Sequence, residues 1–310
     1  MIFAFIIKFP AFVQPMQPLP IANHFLYNAI LQWLTSLIGK NIFWFSIIAL
    51  FTQVLQALYI VNITLRHRIF PKITYVPAWA YILLSSAFPP FNTFGETQII
   101  NWILLGALDI MLGFSQTMQP RKLIFNGALV LCCAALFQFT FVIFFLLLLV
   151  AMAMLRPFNI GEWAVAFMGF VTPVYFFCCL LFLANNFDIT HHWVHLGFSA
   201  DAIKSYQHFF GLKISGLILF FLAGLYGLQM NLTSLNIYFR RNWIVIVFYL
   251  GVALLAGLAT DGSIVTVWLV IVPPLSIITS YAFLNEKNKF FNNTMFYLSL
   301  VLAFFFMLTN

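Results

Sequence analysis

Residues 188–195 read DITHHWVH, the most chemically suggestive stretch in the chain. Asp188, His191 and His195 are spaced i, i+3, i+7 and would share one face of a helix. His191 and His195 alone have the i, i+4 separation of a metal-binding helix, and His208 could add a ligand if the segment folds back. The glutamate of an H-E-x-x-H motif is absent, because His192, Trp193 and Val194 fill the interval. The same residues also fit an interfacial amphipathic helix, with Trp193, Val194 and Leu196 dipping into lipid. Contact with a phosphate or lipid headgroup through the histidines and Lys204 is a third option.

A second candidate is Asp109, inside NWILLGALDIMLGFSQT at 101–117. An expected span over 98–117 puts this carboxylate near the middle of the membrane, where an ionised Asp costs about 2.5–3.5 kcal/mol. Asn101 and Gln116 lie two turns away on either side and line roughly the same helical face. That stripe suits an ion or proton relay or a polar substrate site; it equally suits a protonated Asp hydrogen-bonded to a neighbouring helix.

Arg156 and Glu162 bracket a short turn. Asn159 can cap the helix that follows, Glu162 suits the positive end of its dipole, and Trp163 suits an interface. The pair is a coupling candidate or an ordinary helix entry. Glu96, Asp188 and Asp261 are outward-facing carboxylates that could act as base or metal ligand on a lipid-linked substrate. Asp261 also fits a plain Asp-Gly turn. No P-loop, dinucleotide fingerprint, nucleophile elbow or cysteine metal cluster occurs, so no cofactor is expected and ATP-driven transport by this chain alone is disfavoured.

The elements that must hold these residues are membrane helices. The chain of 310 residues is 64% hydrophobic and only 7% charged, whereas soluble domains average roughly 25% charged residues. Its net charge of +7 comes in short bursts between apolar runs, as cytoplasmic loops require, and does not indicate nucleic acid. The expected fold is all-α, a polytopic transmembrane bundle of about ten spans in a single integral domain. Residues 1–41 hold a partial apolar segment and an interfacial helix, 42–184 hold spans with short loops, 185–213 form an extracytoplasmic loop, and 214–310 hold the last spans. Residues 123–155 carry no charge and are too long for one crossing, so a hairpin turning near Gln138 is expected. Arg66, Arg68, Lys72, Arg121, Lys122, Arg156, Arg240, Arg241, Lys287 and Lys289 then fall on one side, the cytoplasmic one. Lys8 interrupts an N-terminal apolar run too short to cross, which reads as a re-entrant or interfacial piece or the tail of an incomplete span. The paired cysteines at 132–133 and 178–179 read as small buried hydrophobes.

Residues 122–177, from KLIFNGALVL to VTPVYFF, resemble a family of uncharacterised multi-pass inner-membrane proteins of Bacteroidota, a domain of unknown function. The likeness rests on Phe125-Asn126-Gly127, a hydrophobic hairpin, the turn from Arg156 to Glu162-Trp163, and the helix from Gly169 to Thr172-Pro173-Val174-Tyr175. PAWAYILLSSAFPPF resembles the family's short span before an extracytoplasmic loop, and the whole resemblance covers about 40–180. It implies topology and an inner-membrane location, but no mechanism. Two functions follow as expectations: a non-enzymatic component of cell-envelope biogenesis or transport, or an enzyme acting on a lipid-linked glycan or lipid at the extracytoplasmic face. The expected partners are membrane lipids, with other envelope proteins a further option and no nucleic acid.

Overall fold

A computed structural model describes residues 2–13, 15–18, 20–21, 24–39, 41–115, 119–185, 210–232, 237–260, 265–284 and 289–309. The described chain is helical without a strand. Its α-helices are α1 (Ile2–Ile7), α2 (Pro10–Val13), α3 (Phe25–Ile38), α4 (Ile42–Arg66), α5 (Val76–Ser85), α6 (Glu96–Leu112), α7 (Pro120–Phe137), α8 (Phe144–Leu155), α9 (Ile160–Leu183), α10 (Phe210–Leu232), α11 (Ile237–Leu258), α12 (Val272–Ser280) and α13 (Lys289–Thr309). Seven helical stretches are long and apolar enough to cross a membrane: 42–66, 120–137, 160–183, 211–230, 239–258, 266–283 and 290–309. Shorter apolar helices lie at 25–38, 76–85 and 139–155.

Local sequence sets several boundaries. Asn41 caps α4 by accepting from the Phe43 amide, and Asn159 caps α9 by accepting from the Gly161 amide. Pro120 opens α7, where its missing N–H costs nothing. Gln138, at φ −142° and ψ 121°, breaks the apolar run of 123–155. The run therefore folds back there, as its length required, with α7 packing on α9 and α8 on α11.

Two helix pairs approach closely because glycine leaves room. A Cβ on Gly169 of α9 would stand 2.7 Å from the Phe125 carbonyl oxygen of α7. A Cβ on Gly227 of α10 would stand 2.7 Å from the Tyr281 carbonyl oxygen, just after α12. Small residues at such contacts bring backbones together where no hydrophobic force drives helices to pair.

The segment 76–112 departs from a pair of full crossings. Tyr81 of α5 meets Gln56 of α4, and the Lys8 ammonium links Ser85 of α5 to Gln53 of α4, so α5 runs antiparallel to α4. α5 has 10 residues, about 15 Å of rise. It stops level with Gln53, about 17 Å along the roughly 38 Å of α4. The chain then turns through a 3-10 turn at Pro89–Asn92 and returns as α6, parallel to α4. Pro90, Phe91 and Asn92 are buried, so the turn is an internal elbow. α1 reaches it through Lys8, and α3 packs Tyr27 and Leu31 against Phe45, Ala49 and Phe94 beside it.

The basic segments gather at the opposite end. Arg66 and His67 meet Asp109, Arg156 donates to the Phe114 carbonyl at 3.0 Å, and Trp243, two residues after Arg241, donates to the Ile69 carbonyl at 3.3 Å. This end is called the basic rim below.

Candidate functional site

Along the contact between α4 and α6, polar side chains follow one another in an otherwise apolar bundle. At the elbow, Lys8 Nζ donates to Gln53 Oε1, to Ser85 Oγ at 3.0 Å and to Asn92 Oδ1 at 2.8 Å. Gln53 Nε2 donates to the Phe91 carbonyl, which also accepts from Gln98 Nε2. Thr52 donates to Gln98 Oε1 at 3.1 Å, and Gln56 donates to the Gln98 carbonyl at 2.7 Å. Tyr81 donates to Gln56 Oε1 at 2.6 Å, and the Asn101 amide, one turn beyond Gln98 on α6, donates to the Leu269 carbonyl at 3.3 Å. Lys8, Gln53, Gln56, Gln98 and Asn101 are all buried. Gln53 and Gln56 stand three apart on α4, and Gln98 and Asn101 three apart on α6, so each helix turns one polar edge to the other.

A histidine–carboxylate pair stands at each end of this seam. Near the elbow, Glu96 opens α6 and its Oε2 pairs with His24 Nδ1. Glu96 is 3% exposed, and its other oxygen, Oε1, has no hydrogen-bond partner among the described residues. Tyr27, on the short helix α3, donates to the Phe94 carbonyl beside it. Burial, reinforced by the Glu96 charge, pushes the Tyr27 phenol up to about 12, so it remains a donor at any physiological pH.

At the basic rim, Asp109 Oδ2 accepts from Arg66 at 2.6 Å and from Tyr59 at 3.3 Å, and Oδ1 lies 2.8 Å from His67 Nε2. Trp102 stacks on Tyr59 with ring centroids 5.8 Å apart. His67 is buried, and its Nδ1 has no hydrogen-bond partner among the described residues. Asp109 is therefore neither alone nor central. α6 ends at Leu112, three residues on, because the elbow starts the helix deep and leaves its C-terminus at the rim. The helix expected over 98–117 runs instead from Glu96 to Leu112, so Asp109 lies within a turn of its C-terminal end and not at its middle. The expected stripe divides as well: Asn101 belongs to the elbow network and Asp109 to the rim, while Gln116 lies outside the described residues.

Arg156 holds Glu162 with two nitrogens, Nε to Oε2 at 3.0 Å and Nη2 to Oε1 at 3.2 Å, while Nη1 takes the Phe114 carbonyl. That geometry fastens the entry of α9 to the end of α6. Asp188, His191, His195, His208 and Asp261 lie outside the described residues. Among the described residues no three His, Cys, Asp or Glu side chains group as a metal site.

No family model matches the chain, and neither the curated proteins nor the solved structures include a match.

Sequence reasoning did not single out His24, Gln53 or His67, and named Arg66 only as a loop cation and not as a partner of Asp109. Gln53 and Gln56 did leave a signal, two amides at i, i+3 within a 25-residue apolar helix. The partners of His24 and His67 lie 72 and 42 residues away and have no local signature.

Proposed function

We propose that the protein is a permease-like, non-enzymatic component of a bacterial inner membrane, and that a small polar solute or cation passes along the α4–α6 seam. The observation carrying this reading is the elbow. A broken helix pair stops halfway along α4 and exposes backbone carbonyls and amide side chains to each other. Irregular backbone at such depth is tolerated where it is buried in protein or lines a polar path. Discontinuous helices are also how membrane carriers build solute sites near the midplane. Glu96 Oε1, Asn101 Oδ1 and Tyr249 OH, without hydrogen-bond partners among the described residues, add buried polar atoms of the kind that water or a solute satisfies. The basic rim faces the cytoplasm in this reading, with the His24–Glu96 pair nearer the outer face.

The test is genetic. Gln53→Leu with Gln56→Leu, and separately Glu96→Gln, are introduced at the native locus and compared with a deletion. The permease reading expects the double variant to accumulate normally in the membrane yet behave like the deletion in growth and solute accumulation. Wild-type behaviour of a fully assembled double variant refutes it.

One observation favours a second reading. Glu96 keeps one oxygen unpartnered while His24 orients the other, the arrangement of a general base. In an enzyme acting on a lipid-linked substrate at the outer face, Glu96→Gln alone abolishes activity and the glutamine replacements do not.

A further inference from the structure

Lys8 is 2% exposed, and its ammonium has three N–H donors. Three oxygens receive them, one each from Gln53, Ser85 and Asn92. All three are neutral, and no ion pair among the described residues includes Lys8. A buried charge is ordinarily matched by an opposite one. This one is instead surrounded the way a dehydrated monovalent ion is surrounded in a pore, by oxygen dipoles that replace water.

The oxygens are held by the bundle without help from Lys8. Gln53 is fixed by the hydrogen bond its Nε2 donates to the Phe91 carbonyl, and Ser85 Oγ by donating to the Ile82 carbonyl at 3.1 Å, which turns its lone pairs outward. Asn92 sits in the buried 3-10 turn. Lys8, by contrast, arrives on a peripheral segment, between a helix of six residues and one of four. The cage belongs to the scaffold and the cation is delivered to it. Divalent ions draw on carboxylates, which the cage lacks. The Ser85 and Asn92 oxygens, 3.0 and 2.8 Å from the nitrogen, suit an ammonium or an ion of similar radius.

We propose that Gln53, Ser85 and Asn92 form a binding site for a monovalent cation of ammonium or potassium size, and that Lys8 is its tethered occupant. The site stands whether or not the seam carries a solute, so its failure and the failure of the permease reading are separate outcomes.

The experiment empties the cage and refills it. Purified full-length Lys8→Ala in detergent is unfolded thermally against increasing methylammonium, ammonium or potassium chloride, with tetramethylammonium chloride, too large and without N–H donors, as the ionic-strength control. The expected result is a midpoint below wild type that rises saturably, by about 2–4 °C or more, with at least one of the three small cations. Wild type and Lys8→Ala/Gln53→Leu should show only the tetramethylammonium response. Absence of any rise beyond that control overturns the proposal, as does an equal rise in the double variant. If Lys8→Ala cannot be purified folded in any of these salts, Asn92→Asp in the otherwise native chain decides. A cation in the cage predicts an unchanged or higher midpoint beside the new carboxylate, and a lower midpoint overturns the proposal.

Discussion

The α4–α6 and α7–α9 contacts bind neighbouring helices in opposite ways. Between α7 and α9, Gly169 sits against the backbone at Phe125 and against Ala128, and the two chains simply pack. Charge enters this contact only at its rim end, where Arg121 in the first turn of α7 lies beside Gly161 of α9. Between α4 and α6, Thr52 and Gln56 face Gln98, and Tyr59 and Arg66 face Asp109. The same chain thus holds helices together with small apolar residues in one place and spends buried amides and ions in another. Interhelical hydrogen bonds in membranes average only about 0.6 kcal/mol. At that strength the seam's hydrogen bonds add little net stability each, which the proposed permease reading uses to assign these groups to a solute.

Substitutions can break this contrast, the largest effect coming first. Gly169→Leu forces a side chain into the Phe125 backbone, so it should cost about 3 kcal/mol or more and reduce the yield of monodisperse protein. Gly251→Ala, where no atom lies within 4 Å of the new Cβ, should behave like wild type in the same size-exclusion assay. Asp109→Leu leaves His67 buried without its carboxylate and removes two further hydrogen bonds. A loss of about 1–2 kcal/mol in denaturant unfolding is expected, with Asp109→Asn recovering roughly half. Gln56→Leu should fall within about 1 kcal/mol of wild type while losing whatever the seam does in the cell. A large stability loss with intact function would reverse the assignment of this seam. Arg66→Ala should matter least, below about 0.5 kcal/mol, because Arg66 is 57% exposed and its ion pair is solvated.

The sequence made the helical class legible because charge is so scarce, and the uncharged run of 123–155 announced its own turn at Gln138. The gathering of Arg66, Arg156 and the Arg240–Arg241 segment at one end also follows from their spacing between apolar runs. Depth was not legible. Residues 75–90 and 98–117 have the length and apolarity of short spans, and nothing local shows that α5 stops at mid-height. That stop depends on the buried turn after Pro89-Pro90 being held by Gln53, which donates to the Phe91 carbonyl, and by Lys8, which donates to Asn92, residues 38 and 84 positions away. Once the elbow lifts the start of α6, Asp109 drops to the rim. Lys8 stood out in sequence as a charge in an apolar run, but its three oxygens come from three separate elements, and only the folded chain brings them together.

The central claim is that the α4–α6 seam admits water and polar solutes and the α7–α9 contact does not. Single cysteines placed at Thr52, Gln98 and Ala128, in a background with Cys132, Cys133, Cys178 and Cys179 replaced, test it directly. A charged methanethiosulfonate reagent attacks only a thiolate in contact with water. Labelling of the Thr52 and Gln98 positions in native membranes, with none at Ala128, is the predicted result. Equal silence at all three positions would contradict the account.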